Sequence, residues 1–488
     1  MTGPLPAPSA TGVRVAGDRY QWLVAWSACV DALLEATSGV ENPVISVGVE
    51  VDGVGNLDDV VLRRRHPPHA YKQVKYTVDS RNPVNAAYLI DPSSRGGLSI
   101  LQKIVAAWRV LAPAGQPIEM VIVSNRLADH VDPLVAGRDS RTRLLLPKAS
   151  AGGAQSDVGK ARAQWATAAG LTEAELLELL AVLEFDLGQD LQHVARSTKL
   201  AMLVAGLRGD DAGLNAGIDW VEQQVIAGRR QLDPGAIREA TETQGLRQEN
   251  ARVIVSVATL VPDPLADRAI YGLDWVDRFD GTDANLKRRP KSPATWRELQ
   301  ADIETIPSHI ESVSRLVITG SMRQAPAFAV GAAVRMVTGV DVAAIQRGTL
   351  WGSDAPYAKP STPVVSERNL GQGEDLAIAV EIATPIADDV LAFLREQSVP
   401  AGRLVVLGPE GGPRDNAVAG PEEACALAVG IRDAVRREVK AHAQIHLFLA
   451  APMGLTLLLG HRWNRVGPTV VYEDLAALGY EAAFTINA

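Results

Sequence analysis

The strongest constraint on the fold is the alternation of apolar runs and helical patterns that begins after about residue 291. The runs SRLVITG, DLAIAVEIA, GRLVVLGP, AQIHLFLAA and PTVVYED predict strands, and patterns such as APAFAVGAAVRMVTG and IADDVLAFLREQ predict helices between them. Alternation of this kind favours a mainly parallel sheet with helices on its faces. RLVITG and RLVVLG begin alike and both end at a glycine before a loop, which indicates two halves.

The segment up to about residue 150 predicts a second, mixed α/β unit. A helix is expected over 20–36, then strands in ISVGVEVDG, DDVVLRR and YKQVKYTV, a helix over 98–111, and a buried strand in IEMVIVSN. Between the two α/β regions, ARAQWATAAG, TEAELLELLAVLEF and DWVEQQVIAGRR show helical periodicity. The sequence therefore predicts three parts: 1–155, a helical connecting region over 156–290, and 291–488.

The net charge and the apolar stretches of the sequence exclude some classes of protein. The chain has 488 residues, enough for about two to four domains, and a net charge of −9. An acidic total argues against a protein that coats DNA permanently, but it is compatible with a local basic groove. The longest apolar stretch is too short to cross a bilayer and no signal peptide is evident, so we expect a cytoplasmic protein with no membrane association.

The sequence lacks several common catalytic and metal-binding motifs. Cys29 and Cys425 lie far apart in apolar helical patterns, which indicates core residues and no zinc cluster. The sequence has no G-x-x-x-x-G-K-[ST] loop, no G-x-S-x-G elbow and no H-E-x-x-H. These absences disfavour an NTPase, a serine hydrolase and a zinc enzyme.

The hairpin predicted over 47–76 carries residues suited to phosphodiester hydrolysis. That reaction needs a metal ion, an activated water and a cation near the developing charge. Gln73 and Lys75 lie two apart in a strand and so share one face, with Val74 facing the other way. Asp59 adjoins the preceding strand and is the preferred metal ligand, with Asp58 as the alternative.

Further acids and bases surround this hairpin. Glu50 ends the preceding strand and is a candidate second carboxylate, and Glu35 in the first helix is a weaker one. From 60 to 76 the charged residues are all basic, including Arg63, Arg64 and Arg65, which suits contacts with DNA phosphates but also a solvated hairpin tip. An Asp-Asp pair and a Gln-x-Lys pattern are also common in strands that have no catalytic role.

Loops that follow the C-terminal strands predict a nucleotide site. In open α/β sheets, ligands bind at the carboxyl ends of strands, where glycine-rich loops and helix N-termini present N–H groups to phosphates. Arg323 is a candidate phosphate ligand and Trp351 a candidate stacking residue, although Trp351 also suits a core position and Gly411 a simple turn. The candidate ligand-binding residues are Gly320, Ser321, Arg323, Gln346, Arg347, Trp351, Pro409, Gly411, Pro452 and Met453.

The hairpin resembles the PD-(D/E)xK restriction-endonuclease-like fold in the variant where Gln replaces the second acid. The resemblance implies a metal-dependent DNA endonuclease in which Asp59 ligates Mg²⁺ or Mn²⁺, Gln73 positions metal or water, and Lys75 stabilises the transition state. The opening GDRYQWLVAWSACVDALL also resembles the first helix of a family of bacterial defence endonucleases, through Gly17, Tyr20 and Gln21.

From about residue 296 onward the sequence resembles a SAVED domain, a sensor of two fused CARF-like Rossmann units. The resemblance rests on VITGSMRQAPAFAVG, QRGTLW, RLVVLGPEGG and IHLFLAAPMGLTLLLGHRWNRVGPTVVYED. The combination resembles the SAVED-domain endonucleases of CBASS antiphage defence. It implies a paired nucleotidyltransferase, activation by a cyclic di- or trinucleotide, homo-oligomerisation, and cleavage of double-stranded DNA with little sequence specificity.

Two other interpretations remain open from the sequence. One is a cyclic-nucleotide-binding sensor or scaffold with an inactive nuclease head, which the Gln at position 73 favours. The other is an ungated restriction-type nuclease whose C-terminal part recognises DNA.

Overall fold

The computed structural model describes residues 9–92, 96–112, 115–139, 141–439 and 444–487. These residues form two compact units, Met1–Asn250 and Ala251–Ala488. Each unit combines helices with a sheet or sheets, which confirms the predicted α/β class.

Unit 1 is built around one mixed sheet. Its strands are β1 (Val44–Val49), β2 (Val60–Arg64), β3 (His69–Lys75), β4 (Ile118–Ser124), β5 (Leu183–Leu187) and β6 (Gln231–Leu232). Its helices are α1 (Ala10–Ser38), α2 (Ala86–Ile90), α3 (Ile100–Leu111), α4 (Leu146–Ala151), α5 (Asp157–Ala169), α6 (Glu173–Leu180), α7 (Leu191–Val204), α8 (Asp211–Ile226) and α9 (Pro234–Thr243). In the order β5-β4-β3-β2-β1-β6, β3, β4 and β5 are parallel, and β1, β2 and β3 are antiparallel.

Helix α1 packs against α7 and α8 through its aromatic side chains. The Trp26 ring lies edge-on to Trp220, with ring centroids 6.1 Å apart, and its Nε1 donates to Met202 Sδ at 3.4 Å. Gly217 permits this approach, because a Cβ there would lie 2.1 Å from the Trp26 ring. Because the Trp26 indole is buried and its N–H has a hydrogen-bond acceptor, it holds α1 against α7 and α8.

A separate apolar core joins the sheet to α3, α5 and α6. Val61, Tyr71 and Ile122 contribute to it from three neighbouring strands, and Trp165 contributes from α5. Alternation along each strand places Tyr71, Gln73 and Lys75 on the face that carries this core. The predicted site residues Gln73 and Lys75 therefore lie on the α3 side of the sheet.

Most elements of unit 1 lie where the sequence predicts them, and a capping box of Thr172 and Glu175 begins α6. One prediction was wrong: the helical pattern was extended through Phe185, whereas α6 ends at Leu180 and β5 follows. In β5, Leu183, Phe185 and Leu187 are buried and the acids between them are half-buried, which is the period of two of a strand. In the sequence this short segment directly follows a helical pattern, so the alternation is hard to recognise.

Unit 2 contains two sheets. The strands are β7 (Val253–Ala258), β8 (Tyr271–Asp274), β9 (Arg315–Thr319), β10 (Asp341–Gln346), β11 (Thr349–Gly352), β12 (Val364–Asn369), β13 (Asp375–Glu381), β14 (Ala401–Gly408), β15 (Ile445–Ala450), β16 (Thr469–Asp474) and β17 (Tyr480–Ile486). The helices are α10 (Trp296–Glu304), α11 (Ile306–His309), α12 (Gln324–Ala333), α13 (Ala387–Glu396), α14 (Pro421–Glu438) and α15 (Met453–His461). The sheet orders are β11-β10-β9-β7-β8 and β12-β14-β13-β15-β16-β17, parallel in their centres and antiparallel at β11, β12 and β17.

Helices α12 and α15 hold the two sheets of unit 2 in one core. A Cβ at Gly331 would lie 2.1 Å from the Leu457 carbonyl oxygen, and a Cβ at Gly460 would lie 2.1 Å from that of Phe328. Glycines on both helices therefore let the two backbones meet. Their apolar side chains share a core with strands of both sheets, so the predicted two halves form one body.

The two units differ from the three-part division that the sequence suggested. Within 156–290, β5 pairs with β4 of unit 1, and β7 and β8 join the first sheet of unit 2. Strand β7 is buried along its whole length. Its apolar run therefore shows no alternation of buried and exposed positions, so the sequence pattern does not distinguish it from a helix.

Cys29 and Cys425 are both buried, as predicted. Within the described ranges, no helix is both long and apolar enough to cross a membrane.

Candidate functional site

The antiparallel pairing of β2 and β3 brings Asp59, Gln73 and Lys75 together; these three residues are called the hairpin site below. Val60 pairs with Lys72, so Asp59 stands opposite Gln73. Gln73 Nε2 and the Val74 backbone N–H both donate to Asp59 Oδ2, the latter at 2.7 Å. Gln73 is buried, so this pairing fixes the carboxylate at the start of β2.

Burial disfavours the ionised forms of both charged groups of the hairpin site, as the directions of their pKa shifts show. It raises the pKa of Asp59, although Lys75 and the Val74 N–H act in the opposite direction. It lowers the pKa of Lys75, although Asp59 acts in the opposite direction, and the positive charge of Lys103 on α3 lowers it further. Both ionised forms are thus poorly solvated, and they gain from a metal ion or a phosphate placed beside them.

The other predicted acids differ in how they relate to this site. Asp58 is half-buried and its charge raises the pKa of Asp59, so it lies beside the site. The Glu50 backbone adopts φ 50°, and its N–H donates to the Asp59 carbonyl oxygen at 3.3 Å while its own carbonyl accepts from Arg230 at 2.8 Å. Glu50 therefore supports the turn through its backbone.

Glu35 has a structural role. Its carboxylate pairs with Arg64 at 3.0 Å and accepts from the Val44 N–H at 2.7 Å, which ties α1 to β1 and β2. Arg64 is thereby engaged within the protein, whereas Arg65 is exposed at the hairpin tip. The basic run from 63 to 65 is thus only partly available for phosphate contacts.

The hairpin site suits a magnesium ion that keeps much of its water. Among the described residues, no group of three or more His, Cys, Asp or Glu side chains is placed to hold a metal. Mg²⁺ is usually bound by one or two carboxylates together with waters and substrate phosphates. Asp59, the adjacent Asp58 and the Gln73 amide oxygen supply a donor set of that kind.

Tyr20 from the first-helix motif supports the same edge of the sheet. It is buried, its hydroxyl donates to the Gln189 carbonyl oxygen at 2.5 Å, and its ring lies 5.0 Å from that of Tyr76, which follows Lys75. Gln21 Nε2 is buried and has no hydrogen-bond partner within the described residues. Helix α1 is therefore anchored where β3 ends.

In unit 2, the loops that follow β9, β10, β14 and β15 converge; they are called the loop site below. Gln324 Nε2 donates to the Ala451 carbonyl oxygen at 2.8 Å, and the Gly454 N–H donates to Gln346 Oε1 at 3.1 Å. Arg347 donates to the Asp415 carbonyl oxygen. The structure thus brings the predicted ligand-binding loops of both sheets to one edge.

Arg323, predicted as a phosphate ligand, forms a buried ion pair with Glu473. Its Nε lies 3.1 Å from Glu473 Oε1, and its Nη2 donates to the Asp474 carbonyl oxygen at 3.0 Å. Glu473 Oε2 also accepts from the Ala325 N–H at 2.8 Å, so a carboxylate already occupies the first turn of α12. Burial raises the pKa of Glu473 to about 7, against the opposing effect of Arg323.

Trp351 and Gln346 stabilise the first turn of α15. Trp351 is 2% exposed, and a Cβ at Gly454 would lie 3.1 Å from its ring, so the indole packs beneath that turn. Gln346 accepts from the Gly454 N–H. These contacts match the core alternative for Trp351, because its ring face is covered by the chain itself.

The solvent-facing part of the loop site carries two exposed arginines, together with the exposed acids Glu410 and Asp415. Arg347 is exposed, and Arg414, which the sequence did not single out, is exposed beside Gly411 and donates to the Glu410 and Gly412 carbonyl oxygens at 3.1 and 3.0 Å. Of the remaining predicted residues, Ser321, Pro452 and Met453 are half-buried and Pro409 is buried. Gly320, at φ 93°, has no space for a side chain, since a Cβ would lie 2.1 Å from the Val257 carbonyl oxygen.

Two histidines of unit 2 belong to its core. His446 is 4% exposed, with Nε2 3.1 Å from Asp375 and Nδ1 3.0 Å from the Tyr472 hydroxyl, as expected for a satisfied core histidine. His461, the last residue of α15, is fully buried, and its ring Nδ1 pairs with the carbonyl oxygen of Val334 at the end of α12.

The burial of His461 predicts that the free energy of unfolding decreases as the pH falls. Burial lowers the pKa of His461 from its ordinary value of 6.5 to about 4, so the unfolded chain binds a proton at a pH where the folded chain does not. This contribution is fully present above pH 6.5 and is lost as the pH falls towards 4, by roughly 3 kcal/mol in all. Urea unfolding of the full chain at pH 7 and pH 5 should show a smaller loss for His461→Gln than for wild type; equal losses would contradict this assignment.

Comparisons with known proteins identify a sensor family over the C-terminal part of the chain and a relative along most of its length. Residues 299–486 match the family model of the SMODS-associated and fused to various effectors sensor domain (SAVED). The chain is 24% identical over 496 residues to CD-NTase-associated protein 4 of Enterobacter hormaechei subsp. hoffmannii (strain UCI 50), covering 93% of each protein.

Solved structures with a similar chain include two receptors. One is the Acinetobacter baumannii Cap4 SAVED/CARF-domain containing receptor with the cyclic trinucleotide 3'3'3'-cAAA, at 14% identity and a TM-score of 0.44, covering 99% of this chain and 100% of that one. The other is the Moraxella osloensis Cap4 SAVED/CARF-domain containing receptor, at 16% identity and a TM-score of 0.41, covering 97% and 99%.

Proposed function

Because the chain carries a SAVED sensor domain over residues 299–486, we propose that it is a CBASS effector whose unit 1 is a DNA endonuclease activated by a cyclic oligonucleotide. The similarity to CD-NTase-associated protein 4 extends over 93% of the chain and so includes unit 1. The observation that carries the nuclease assignment is the hairpin site, where a half-buried carboxylate, an amide and a lysine share one face of a sheet.

The proposed chemistry follows from the positions of these side chains. Asp59, with Asp58 beside it, would hold Mg²⁺ or Mn²⁺, and the ion would supply Lewis acidity and an activated water. Gln73 orients Asp59 and offers its amide oxygen to metal or water. Lys75 donates to the phosphate oxygens, and its half-buried ammonium is most effective where negative charge develops and water is excluded.

The loop site is the proposed receptor for a cyclic di- or trinucleotide made by a partner nucleotidyltransferase. Arg347 and Arg414 supply exposed cations for its phosphates, and Gly411 and Gly412, at φ 80° and 82°, bring the backbone close to the ligand. Ligand-driven homo-oligomerisation then activates the nuclease, provided that the ligand binds the assembled state more tightly than the resting state.

Plasmid cleavage tests this proposal. Purified protein is incubated with supercoiled plasmid and Mg²⁺, alone and with a panel of cyclic di- and trinucleotides that includes 3'3'3'-cAAA and 2'3'3'-cAAA. We expect cleavage only with one or a few members of the panel, and none in EDTA. Cleavage without any nucleotide would instead favour an ungated nuclease.

A sensor with an inactive head is the second candidate. It is favoured by the Gln at position 73 and by the absence, in the described part of the chain, of a cluster of three metal-binding side chains. This candidate predicts nucleotide binding and oligomerisation without cleavage at any Mg²⁺ or Mn²⁺ concentration. Calorimetry with the same panel, run beside the cleavage assay, separates the two.

A further inference from the structure

Strand β12 forms one edge of the second sheet of unit 2, and all 6 of its residues are exposed. It pairs antiparallel with β14, and the Leu370 N–H donates to the Gly402 carbonyl oxygen at 3.0 Å in the same register. Hydrogen-bonded and non-hydrogen-bonded pairs alternate along an antiparallel ladder. The main-chain groups of Ser366 therefore point toward β14, and those of Val365 and Glu367 point away from the sheet.

The outward main-chain groups of β12 are open to another strand. Within the described residues, nothing bonds to the N–H or carbonyl of Val365 or Glu367. The Glu367 carboxylate lies 3.2 Å from Arg403 of β14, and Arg368 lies 3.5 Å from Asp388 of α13, so both charges turn back toward their own unit. A row of unpaired N–H and C=O groups along an extended edge is a template for strand pairing.

Two other sheet edges are covered by the chain itself. At β5, the Phe185 N–H donates to the Arg143 carbonyl oxygen at 2.9 Å, and the Phe185 carbonyl accepts from Arg138 at 2.8 Å. At β17, the Gln300 side chain accepts from the Thr485 N–H at 3.2 Å and donates to the Thr485 carbonyl oxygen at 3.0 Å. The chain thus blocks these two edges against further strands, whereas it leaves β12 uncovered.

We propose that β12 pairs antiparallel with β12 of a second copy of this chain, about a two-fold axis at Ser366, in the absence of any nucleotide. Such an axis, perpendicular to the sheet, joins two sheets into one and keeps the same face of each on the same side. Val365 of each copy then stands opposite Glu367 of the other. Their outward N–H and C=O groups form four hydrogen bonds across the axis, as two hydrogen-bonded pairs.

Charge and backbone chemistry favour this register over its neighbours. An axis at Glu367 would place two like charges directly opposite each other, which is destabilising. An axis at Val365 would place Glu367 opposite Pro363, which has no N–H to donate. With the axis at Ser366, two small hydroxyls face each other, and each Glu367 keeps its own Arg403 and lies opposite an apolar side chain.

Sedimentation velocity of the full-length protein without nucleotide, over a concentration series, tests the dimer. One strand edge buries less area than a permanent interface, so the wild-type dimer should dissociate on dilution through about the micromolar range. Val365→Pro removes an outward N–H, at a position where an edge strand accepts proline. It should raise the dimer Kd about 30-fold, because two symmetry-related hydrogen bonds are lost. Val365→Thr keeps the N–H and the branched shape, and is the matched control with wild-type Kd.

Cysteine cross-linking tests the register. Ser366→Cys places two thiols in the non-hydrogen-bonded pair at the axis, where the Cα atoms lie about 4.5 Å apart, within disulfide range. Val364→Cys lies on the same face, but its two thiols would be about 14 Å apart. The native Cys29 and Cys425 are both buried. Mild oxidation should therefore cross-link Ser366→Cys and leave Val364→Cys monomeric in denaturing gels.

Three results would overturn the inference. They are a wild type that stays monomeric at every concentration, a Val365→Pro variant with wild-type Kd, and a Ser366→Cys variant that cross-links no more than Val364→Cys. The inference does not rest on the proposed nuclease, because these measurements use neither nucleotide nor DNA.

Discussion

Lys75→Ala is expected to reduce kcat for plasmid cleavage by about 10²–10³-fold, the usual cost of removing a group that stabilises developing charge in a water-poor site. Lys75 is half-buried at the end of β3, on the same face as Gln73, and a truncated side chain leaves no other cation at that point of the strand. KM should change much less, because the contact is strongest in the transition state. Initial rates of supercoiled plasmid loss, in Mg²⁺ and the activating nucleotide, give both constants.

Folding must be shown to be intact in that variant. The side chain of Lys75 makes no hydrogen bond with another described residue, so the unfolding midpoint of Lys75→Ala should lie near that of wild type. Lys160→Ala, which removes an exposed lysine on α5 of the same unit, is the matched control and should cleave at the wild-type rate. Lys75→Ala cleaving as fast as wild type would remove the hairpin site from the mechanism.

Arg323→Ala is expected to destabilise unit 2 by about 3–5 kcal/mol, because it leaves the Glu473 carboxylate buried without its cation. Glu473 has no exposed surface, and its remaining described partner is the Ala325 N–H at 2.8 Å. Urea unfolding at pH 8 measures the loss. At lower pH the loss should be smaller, since burial raises the pKa of Glu473 and protonation removes the uncompensated charge.

A double variant and a surface pair control this measurement. Arg323→Met combined with Glu473→Gln removes both charges and keeps an acceptor for the Ala325 N–H, so most of the stability should return. Arg368→Ala breaks an exposed pair with Asp388, whose atoms lie 3.5 Å apart, and should cost less than about 1 kcal/mol. Equal losses for Arg323→Ala and Arg368→Ala would show that the buried pair contributes no more than a surface pair.

The local sequence pattern predicts that Asp59, Gln73 and Lys75 lie near one another, because their placement depends on strand alternation and on one antiparallel register. Gln73 and Lys75 are two residues apart, and Asp59 begins the paired strand, so short-range spacing already places them together. The local sequence pattern does not fix the positions of Asp58 and Glu50. Their placement depends on the turn between β1 and β2, where Glu50 adopts a positive φ that no local pattern indicates.

The loop site is harder to predict, since its contacts join residues far apart in the chain. Glu473 reaches the first turn of α12 from a strand 150 residues later, and the sequence offered only an acid at the end of VVYED as a signal. Trp351 suits stacking and core packing equally by residue type. Only its contact with Gly454 shows that its ring is covered.

Under the proposed function, the acidic net charge of −9 keeps the resting protein from accumulating on DNA. The loop site carries two exposed arginines, and the hairpin site carries one half-buried lysine. The proposed oligomerisation therefore predicts that duplex affinity rises with the number of assembled copies of unit 1.

The most direct test of this account is the plasmid cleavage assay with and without cyclic oligonucleotide, using wild type, Asp59→Asn and Lys75→Ala in parallel. The account predicts that wild type cleaves only in the presence of Mg²⁺ and a specific cyclic oligonucleotide, and that both variants bind that nucleotide normally but fail to cleave. If wild type binds a cyclic oligonucleotide and still leaves plasmid intact in Mg²⁺ and in Mn²⁺, unit 1 is not a DNA endonuclease.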